Sequence, residues 1–157
     1  DMAGAVADTG AGVVLMHSRG GVGDMASYAM AEYGPDPVGD MIDELAAALG
    51  RAREAGIPDD AIVLDPGLGF SKRTEHSVAA LAHLDRFLAL GRPLMVGPSR
   101  KRFVGELSGG LPAEERLEGT LAACVVALVG GARIFRVHDV RATRRALDVA
   151  EAVRTAP

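Results

Sequence analysis

The feature that most constrains this fold is a series of apolar runs that each end in charged or polar residues. Three of them follow one another: AIVLDPGLGF at 61–70, PLMVGPSRK at 93–101 and IFRVHDV at 134–140. Near-continuous apolar runs of this length are typical of strands in a parallel sheet covered by helices. Parallel strands end at the same edge, so the residues that follow them gather on one rim. The pattern predicts an α/β fold with a site at the carboxyl ends of its strands.

The segments between these runs are helical in pattern. Apolar periodicity and end signals predict helices at 2–9, 37–55, 74–90 and 141–154, and another from Pro112 to Gly130-Gly131. Asp36 is the expected N-cap of the second of these helices, with Pro37 at its first position. Strands are predicted at 12–16, 61–65, 93–97 and 133–137. The expected buried stripes of two helices are Val38, Met41, Ile42, Leu45 and Leu49, and Val78, Leu81, Leu84, Phe87 and Leu88. Segment 17–36 is expected to be a long mobile loop, and 102–111 a loop or short helix.

This order gives four βα units in a single partial domain, 1–157. A (β/α)8 TIM barrel needs eight units and about 250 residues, so the chain is predicted to form half a barrel. An open four-stranded α/β sheet is the more conservative alternative. In half a barrel, the outer strands at 12–16 and 133–137 would have unpaired edges and the helices would leave apolar surface uncovered. Such a chain is expected to pair with a second copy, reclose with the other half, or aggregate.

The composition excludes several classes of protein. The chain is 48% apolar and 24% charged, and its net charge of −4 comes with no Lys/Arg run that could track a nucleic-acid backbone. The only cysteine, Cys124, lies in the apolar stretch TLAACVVALVGGA, so no intrachain disulfide can form and a reducing cytoplasm fits. That stretch is shorter than the roughly 20 residues a membrane span needs. No signal peptide is recognisable.

Asp65 is the first candidate site residue. It ends an apolar strand just before Pro66-Gly67, where its carboxylate would point into the space above the sheet. A buried carboxylate is costly unless donors pair with it, and two adjacent ring N–H donors of a 2-amino-4-oxo pyrimidine edge would satisfy both oxygens. The alternative is an Asx bond that caps the turn. Phe70 is expected either to stack on a planar ring or to seal the core.

The next strand end carries Ser99, Arg100 and Lys101, which follow a Gly-Pro turn and would lie opposite Asp65. Lys101 can donate to a carbonyl oxygen or to a developing negative charge. A solvated basic turn is the alternative for this run.

Arg136 and His138 stand at i and i+2 and therefore face the same side of their strand, where they would form an anion site. Alternatively, Arg136 bridges to Asp139 or Asp65 and His138 is only a satisfied strand-end histidine. His17 and Arg19 fall on the same rim with a weaker signal. The histidines lack metal-ligand spacing, so no metal site is predicted in this chain, and neither a P-loop nor a dinucleotide fingerprint is present.

Five motifs in order, VVLMHSRG, IVLDPGLGFSK, PLMVGPSRKRFVG, ERLEGTLA and IFRVHDV, resemble the C-terminal half of the dihydropteroate synthases. The resemblance runs essentially end to end. It implies barrel strands five to eight of a pterin-binding TIM barrel, in a transferase of folate biosynthesis that is the target of sulfonamides. Members of the family condense 6-hydroxymethyl-7,8-dihydropterin pyrophosphate with p-aminobenzoate, giving 7,8-dihydropteroate and pyrophosphate.

The resemblance also implies roles for individual residues. Asp65 would bind the 2-amino/N3 edge of the pterin, Lys101 its carbonyl side, and Arg136 with His138 the pyrophosphate; these four are the expected catalytic residues. The pterin pocket would be lined by Met16, Met95 and Gly97. The p-aminobenzoate site would be bordered by Phe70, Ser71, Lys101 and Arg102, and Ser99 completes the expected substrate-binding set.

The family's N-terminal half is absent from this sequence. In the family that half carries further pterin-binding Asp and Asn residues, two mobile loops and most contacts to the magnesium expected in the full-length enzyme. The isolated fragment is therefore expected to be inactive. Arg102 also stands where many relatives have Ser. Two alternatives stay open, a pterin-binding methyltransferase that acts on a corrinoid protein and a non-catalytic pterin-binding domain. The SRK and RVH runs favour the synthase, since a methyl donor carries no pyrophosphate.

Overall fold

The computed structural model describes residues 2–157, over which strands and helices alternate. The strands are β1 (Val13–Met16), β2 (Ile62–Asp65), β3 (Met95–Val96) and β4 (Ile134–Phe135). The helices are α1 (Met2–Thr9), α2 (Pro37–Glu54), α3 (Thr74–Ala82), α4 (Leu84–Phe87), α5 (Arg102–Leu107), α6 (Leu117–Val129) and α7 (Val140–Arg154). Short 3-10 turns cover Asp59–Ala61, Leu88–Leu90 and Ala113–Glu115.

The strands are parallel and follow one another in chain order. β1 pairs with β2, from Val13 beside Ile62 to Met16 beside Asp65, and β3 pairs with β4. A parallel bridge between Leu64 and Leu94 connects the two pairs. The predicted α/β fold is confirmed, and all four strands end on the same side.

Helix α2 shows how the sequence builds the layer that covers the strands. Asp36 caps it by accepting a hydrogen bond from the Gly39 N–H, and Pro37 occupies the first turn, as the sequence predicts. Four of its five predicted stripe residues are buried, while Ile42 is half-buried. Each fully buried aliphatic side chain of this kind contributes about 1.5–3 kcal/mol. The four buried residues are Val38, Met41, Leu45 and Leu49.

The predicted single helix at 74–90 is wrong, because the chain breaks at His83, whose φ of −123° and ψ of 38° are not helical. The break turns Leu84 and Phe87 fully into the core. It leaves Val78 and Leu88, which were expected in the same buried stripe, exposed.

The helix predicted from Pro112 also begins later, at Leu117, after a 3-10 turn. Arg116 lies between the turn and the helix, and its side chain donates to the carbonyl oxygens of Leu111 and Arg100. These bonds fix the backbone where the chain changes direction. Strands β3 and β4 are shorter than predicted, two residues each.

Both outer strands have an open edge. Within residues 2–157, β1 pairs only with β2 and β4 only with β3. Val14 and Ile134 on these strands are 44% and 39% exposed. Neither outer strand therefore has a second partner strand within the described residues. Segment 17–36 contains no helix or strand, as predicted, and no helix of the described residues is long and apolar enough to cross a membrane.

Candidate active site

Three adjoining cavities lie at the carboxyl ends of the strands. Each is named after a residue that lines it and neither of the other two. They are the Asp65 cavity of about 320 Å³, the Arg102 cavity of about 220 Å³ and the His138 cavity of about 520 Å³. Lys101 lines all three. Phe70 is shared by the Asp65 and Arg102 cavities, and Arg136 by the Asp65 and His138 cavities. The rim predicted from the strand ends is thus one continuous site with Lys101 at its centre.

Asp65 ends β2 and is buried at the bottom of its cavity. Its Oδ1 accepts a hydrogen bond of 2.7 Å from the Gly67 N–H, so the Asx interpretation is confirmed for that oxygen. The other oxygen accepts none from residues 2–157 and is left for a ligand. Burial raises the pKa of Asp65 above its ordinary value. The effects that oppose this rise in pKa come from the Gly67 N–H and three cations, Lys72, Lys101 and Arg136.

The turn after Asp65 presses against the end of β1. Gly67 has a φ of 68°, and a Cβ at this position would overlap the carbonyl oxygen of His17. The His17 N–H in turn donates to the Asp65 carbonyl oxygen at 2.9 Å. Only glycine allows so close an approach, and it sets the height of the carboxylate above the sheet.

Apolar side chains form the walls of the Asp65 cavity. Met16 and Met95 line it, as does Gly97, each at or just beyond a strand end. The Lys101 ammonium lies 3.4 Å from the centroid of the Phe70 ring, a cation–π contact that holds both groups at the entrance. Burial also lowers the pKa of Lys101, while the Asp65 carboxylate opposes this.

The Arg102 cavity is covered by the long loop between β1 and α2. Tyr28 of this loop lies under the guanidinium of Arg102, 4.7 Å from its ring centroid, and Arg73 stacks on the same ring at 5.4 Å. Arg102 is exposed at the first turn of α5. Its charge is therefore available at the mouth of the cavity. Tyr28 is a site residue that the sequence reasoning did not identify.

Ser71 lies behind the site and lines none of the three cavities. Its side chain is fully buried and its hydroxyl donates to the Arg19 carbonyl oxygen at 2.7 Å. The Ser71 N–H donates to the Met25 carbonyl oxygen, and the Ser71 carbonyl oxygen accepts a bond of 3.0 Å from the Tyr33 hydroxyl. With a φ of 45°, it holds a strained turn in place from below.

Ser99 and His138 are joined in the third cavity. The Ser99 hydroxyl is 2.9 Å from His138 Nδ1 and accepts a bond of 3.1 Å from the His138 backbone N–H. The imidazole is therefore held through Nδ1, which leaves Nε2 for a ligand.

The Arg136 side chain makes no hydrogen bond or ion pair with any residue of 2–157, although it lines two cavities. The alternative in which it bridges to Asp139 or Asp65 is wrong. Asp139 is occupied by the Arg100 guanidinium through bonds of 2.9 and 3.1 Å, which lower the pKa of that carboxyl. Arg100 is thus a structural cation with a φ of 57°, and Arg136 is the one left for an anion.

His17 and Arg19 do not reach the cavities. His17 is buried between Glu44, 3.0 Å from its Nε2, and Lys72, 2.7 Å from its Nδ1. Arg19 pairs with Glu44 and Asp40. Burial and the neighbouring Lys72 lower the pKa of His17 to about 4, and burial lowers the pKa of Lys72 to about 7.

Lys72 was missed by the sequence reasoning, although a signal existed. The chain has fifteen arginines and only two lysines, Lys72 and Lys101. Both lie at this site. Because arginine supplies every other basic side chain of Lys or Arg type, the two lysine positions stand out in the sequence.

The described residues do not bring together three or more His, Cys, Asp or Glu side chains that could hold a metal ion. Among residues 2–157 no ligand set is therefore assigned to the magnesium that the resemblance implies.

Comparison with known proteins gives a consistent picture. The family described as pterin binding enzyme matches residues 1–138. Dihydropteroate synthase from Stenotrophomonas maltophilia is 42% identical, with a TM-score of 0.93 over 99% of this chain and 57% of that one. The Xanthomonas albilineans dihydropteroate synthase in complex with 7,8-dihydropteroate is 41% identical, with a TM-score of 0.89 over 99% and 55%.

A relative from Mycobacterium leprae, named inactive dihydropteroate synthase 2, is 39% identical over 150 residues, which are 94% of this chain and 51% of the relative. The chain spans about half the length of the curated relatives it matches. The family match nevertheless covers most of its residues and all three strand ends that build the site. This chain belongs to the pterin-binding enzyme family.

Proposed function

We propose that this chain supplies the substrate rim of a dihydropteroate synthase, a folate-biosynthesis transferase that joins 6-hydroxymethyl-7,8-dihydropterin pyrophosphate to p-aminobenzoate. The proposal rests on the position of Lys101, whose side chain lines all three cavities. A condensation of two substrates with loss of a third group needs three adjoining subsites around one reacting carbon. The complex of the Xanthomonas relative with 7,8-dihydropteroate supports this assignment.

The Asp65 cavity is assigned to the pterin. Its volume of about 320 Å³ suits a bicyclic ring, and its apolar walls from Met16 and Met95 suit the ring faces. The carboxylate of Asp65 accepts the paired 2-amino and N3 donors, and the cation that develops on the pterin is stabilised by the same charge. Lys101 donates to the carbonyl side.

The His138 cavity is assigned to the pyrophosphate. The Arg136 guanidinium has no hydrogen-bond or ion-pair partner among residues 2–157 and can meet two phosphate oxygens, and His138 adds a donor from Nε2. When pyrophosphate leaves first, negative charge builds on it as the C–O bond breaks, and positive charge spreads into the pterin ring. Arg136 and His138 therefore act most strongly in the transition state.

The Arg102 cavity is assigned to p-aminobenzoate. Phe70 provides a face for the benzene ring and Arg102 a cation for the carboxylate, while the amine points toward Lys101 and the pterin cavity. Ser71 contributes by supporting the turn that carries Phe70. A sulfonamide would compete for the same cavity.

The chain is proposed to form strands five to eight of a (β/α)8 barrel. Its open edges at β1 and β4 would be closed by the N-terminal half of the barrel or by a second copy, as in a homodimer. Analytical ultracentrifugation tests this closure, since a stable soluble monomer would contradict it. The expected setting is the cytoplasm, without nucleic-acid or membrane partners.

The direct test of function is pyrophosphate release from the two substrates, measured on the natural full-length protein that carries this sequence and on the chain alone. We expect release from the former, none from the latter, and binding of the pterin by both. An Arg136→Met variant is the matched loss-of-charge control. An intact full-length protein that releases no pyrophosphate would overturn the synthase assignment.

A non-catalytic pterin-binding domain is the second candidate. The observation in its favour is the 39% identity to the relative named inactive dihydropteroate synthase 2. Pterin binding without pyrophosphate release would support it. A corrinoid methyltransferase is less consistent with the site, because the His138 cavity and the unpaired Arg136 would have no anion to bind.

A further inference from the structure

A buried lysine lines the Arg102 cavity and is not among the residues assigned to bind a substrate. Lys72 is 2% exposed, although lysine is almost never fully buried in proteins unless it is paired. Removing an ammonium from water is costly without compensating partners. Such a residue calls for a specific role.

The Lys72 ammonium has three donors and three acceptors around it. His17 Nδ1 lies at 2.7 Å, the Phe70 carbonyl oxygen at 3.1 Å and the His17 carbonyl oxygen at 3.3 Å. Since His17 accepts at Nδ1, its Nε2 carries the proton and donates to Glu44 of α2. The lysine thereby ties the turn that carries Phe70 to the end of β1 and, through His17, to α2.

The charge of Lys72 also acts on Asp65. Burial raises the pKa of Asp65, and among the cations that oppose this rise Lys72 has the largest effect, ahead of Lys101 and Arg136. Lys72 itself forms no ion pair with a carboxylate of the described residues, so its charge is not neutralised at contact distance. The ionisable groups that face it or act on it are His17, Arg19, Glu44, Asp65, His76 and Lys101.

We propose that Lys72 is a positioning residue of the substrate site, whose ammonium holds the Phe70 turn against β1 and keeps Asp65 as a carboxylate for the pterin edge. The inference rests on the proposed function, because an ionised Asp65 is needed only when its carboxylate accepts the two donors of the pterin ring. Lys72 also lines the Arg102 cavity, but its three ammonium contacts are all to protein acceptors, so it joins the four expected catalytic residues as a positioning residue.

The test compares the affinity of the chain for a 2-amino-4-oxopteridine between pH 5.5 and 8 in two variants. Lys72→Met removes the charge. Tyr33→Phe removes one hydrogen bond to the same turn, at the Ser71 carbonyl, and leaves the charge in place. We expect the ratio of variant to wild-type Kd to grow about tenfold as the pH falls for Lys72→Met, because losing a nearby cation raises the pKa of Asp65 further. For Tyr33→Phe the ratio should stay constant.

A second measurement does not depend on the folding of Lys72→Met. With only two lysines in the chain, ¹³C-lysine labelling gives a titration curve for each. By linkage, Asp65→Asn should move the Lys72 titration midpoint below the wild-type value of about 7, since the carboxylate supports the ammonium.

A wild-type chain that binds no pteridine would count against the proposed function, and the lysine titration would then decide whether the coupling to Asp65 exists. Pteridine binding by the wild type with a pH-independent Kd ratio for Lys72→Met would overturn the inference while leaving the proposed function intact. An unchanged Lys72 midpoint in Asp65→Asn would overturn it as well.

Discussion

Two glycines with the same backbone conformation allow the close contact beneath Asp65 to be measured. Gly67 and Gly91 have φ values of 68° and 70°. A methyl group added at Gly91 meets no atom within 4 Å, whereas at Gly67 it overlaps the His17 carbonyl oxygen and lies 3.3 Å from Met16 Cγ. Alanine at either position carries the same left-handed backbone strain of about 1–2 kcal/mol. The difference between the variants therefore isolates the clash.

The structure sets the size of that difference. To relieve the overlap, the turn must move away from β1, which stretches the 2.7 Å bond from the Gly67 N–H to Asp65. A hydrogen bond to a charged group contributes about 1.5–3 kcal/mol, and the neighbouring bond between the His17 N–H and the Asp65 carbonyl about 1 kcal/mol more. We expect Gly67→Ala to lower the free energy of unfolding by about 3.5–6 kcal/mol and Gly91→Ala by about 1–2 kcal/mol.

Urea denaturation followed by circular dichroism measures both variants. Gly67→Ala should unfold at a clearly lower urea concentration with an unchanged slope, because the loss is in stability and not in the surface exposed. Pteridine affinity should fall in Gly67→Ala and stay at the wild-type value in Gly91→Ala. Equal destabilisation of the two variants would refute the reasoning, since it would show that the turn does not press on His17.

Three further predictions concern charge and protonation. Arg136→Met should lower kcat of the natural full-length protein by 10²–10³-fold with a smaller change in KM, as for other preorganised groups that stabilise developing charge; an equal change in both would contradict this. Ser99→Ala should change the His138 tautomer in ¹⁵N NMR spectra and weaken pyrophosphate binding about tenfold; an unchanged spectrum would argue against the Nδ1 contact. Burial and Lys72 lower the pKa of His17 from 6.5 to about 4, so the unfolded chain binds the extra proton between these values. The free energy of unfolding should therefore rise with pH across that window, by up to about 1.4 kcal/mol per unit, and His17→Gln should flatten this slope in urea titrations.

The parts of the fold that the sequence predicts are those governed by local rules. The apolar runs before Asp65 and Gly97 are strands because both of their faces are covered, and Asp36 with Pro37 starts α2 because the first turn needs a cap. The gathering of polar side chains on one rim follows from the parallel strands alone. These features require no knowledge of which segments meet across the fold.

The features that the sequence does not predict depend on distant contacts. The break at His83 exists because Leu84 and Phe87 pack into a core built by other segments, and periodicity within 74–90 carries no information about that core. Tyr28 reaches Arg102 across 74 positions of the sequence, and nothing within the loop marks it. Ser71 follows Phe70 directly, yet the turn at Ser71 directs its side chain away from the cavities.

The two lysines show how composition and site chemistry are connected. Arginine stays charged in any protein environment, while burial shifts the pKa of a lysine readily. On the surface of this chain arginine supplies the cations, as in the pairs of Arg53 with Asp59 and Arg86 with Asp36. Lysine occurs only at the two buried or half-buried positions next to Asp65, where a compact ammonium fits among carbonyl oxygens and an aromatic ring. A planar guanidinium with five donors would leave several of them unpaired at position 72. The geometry of the site thus accounts for lysine at both positions in a chain that otherwise uses arginine.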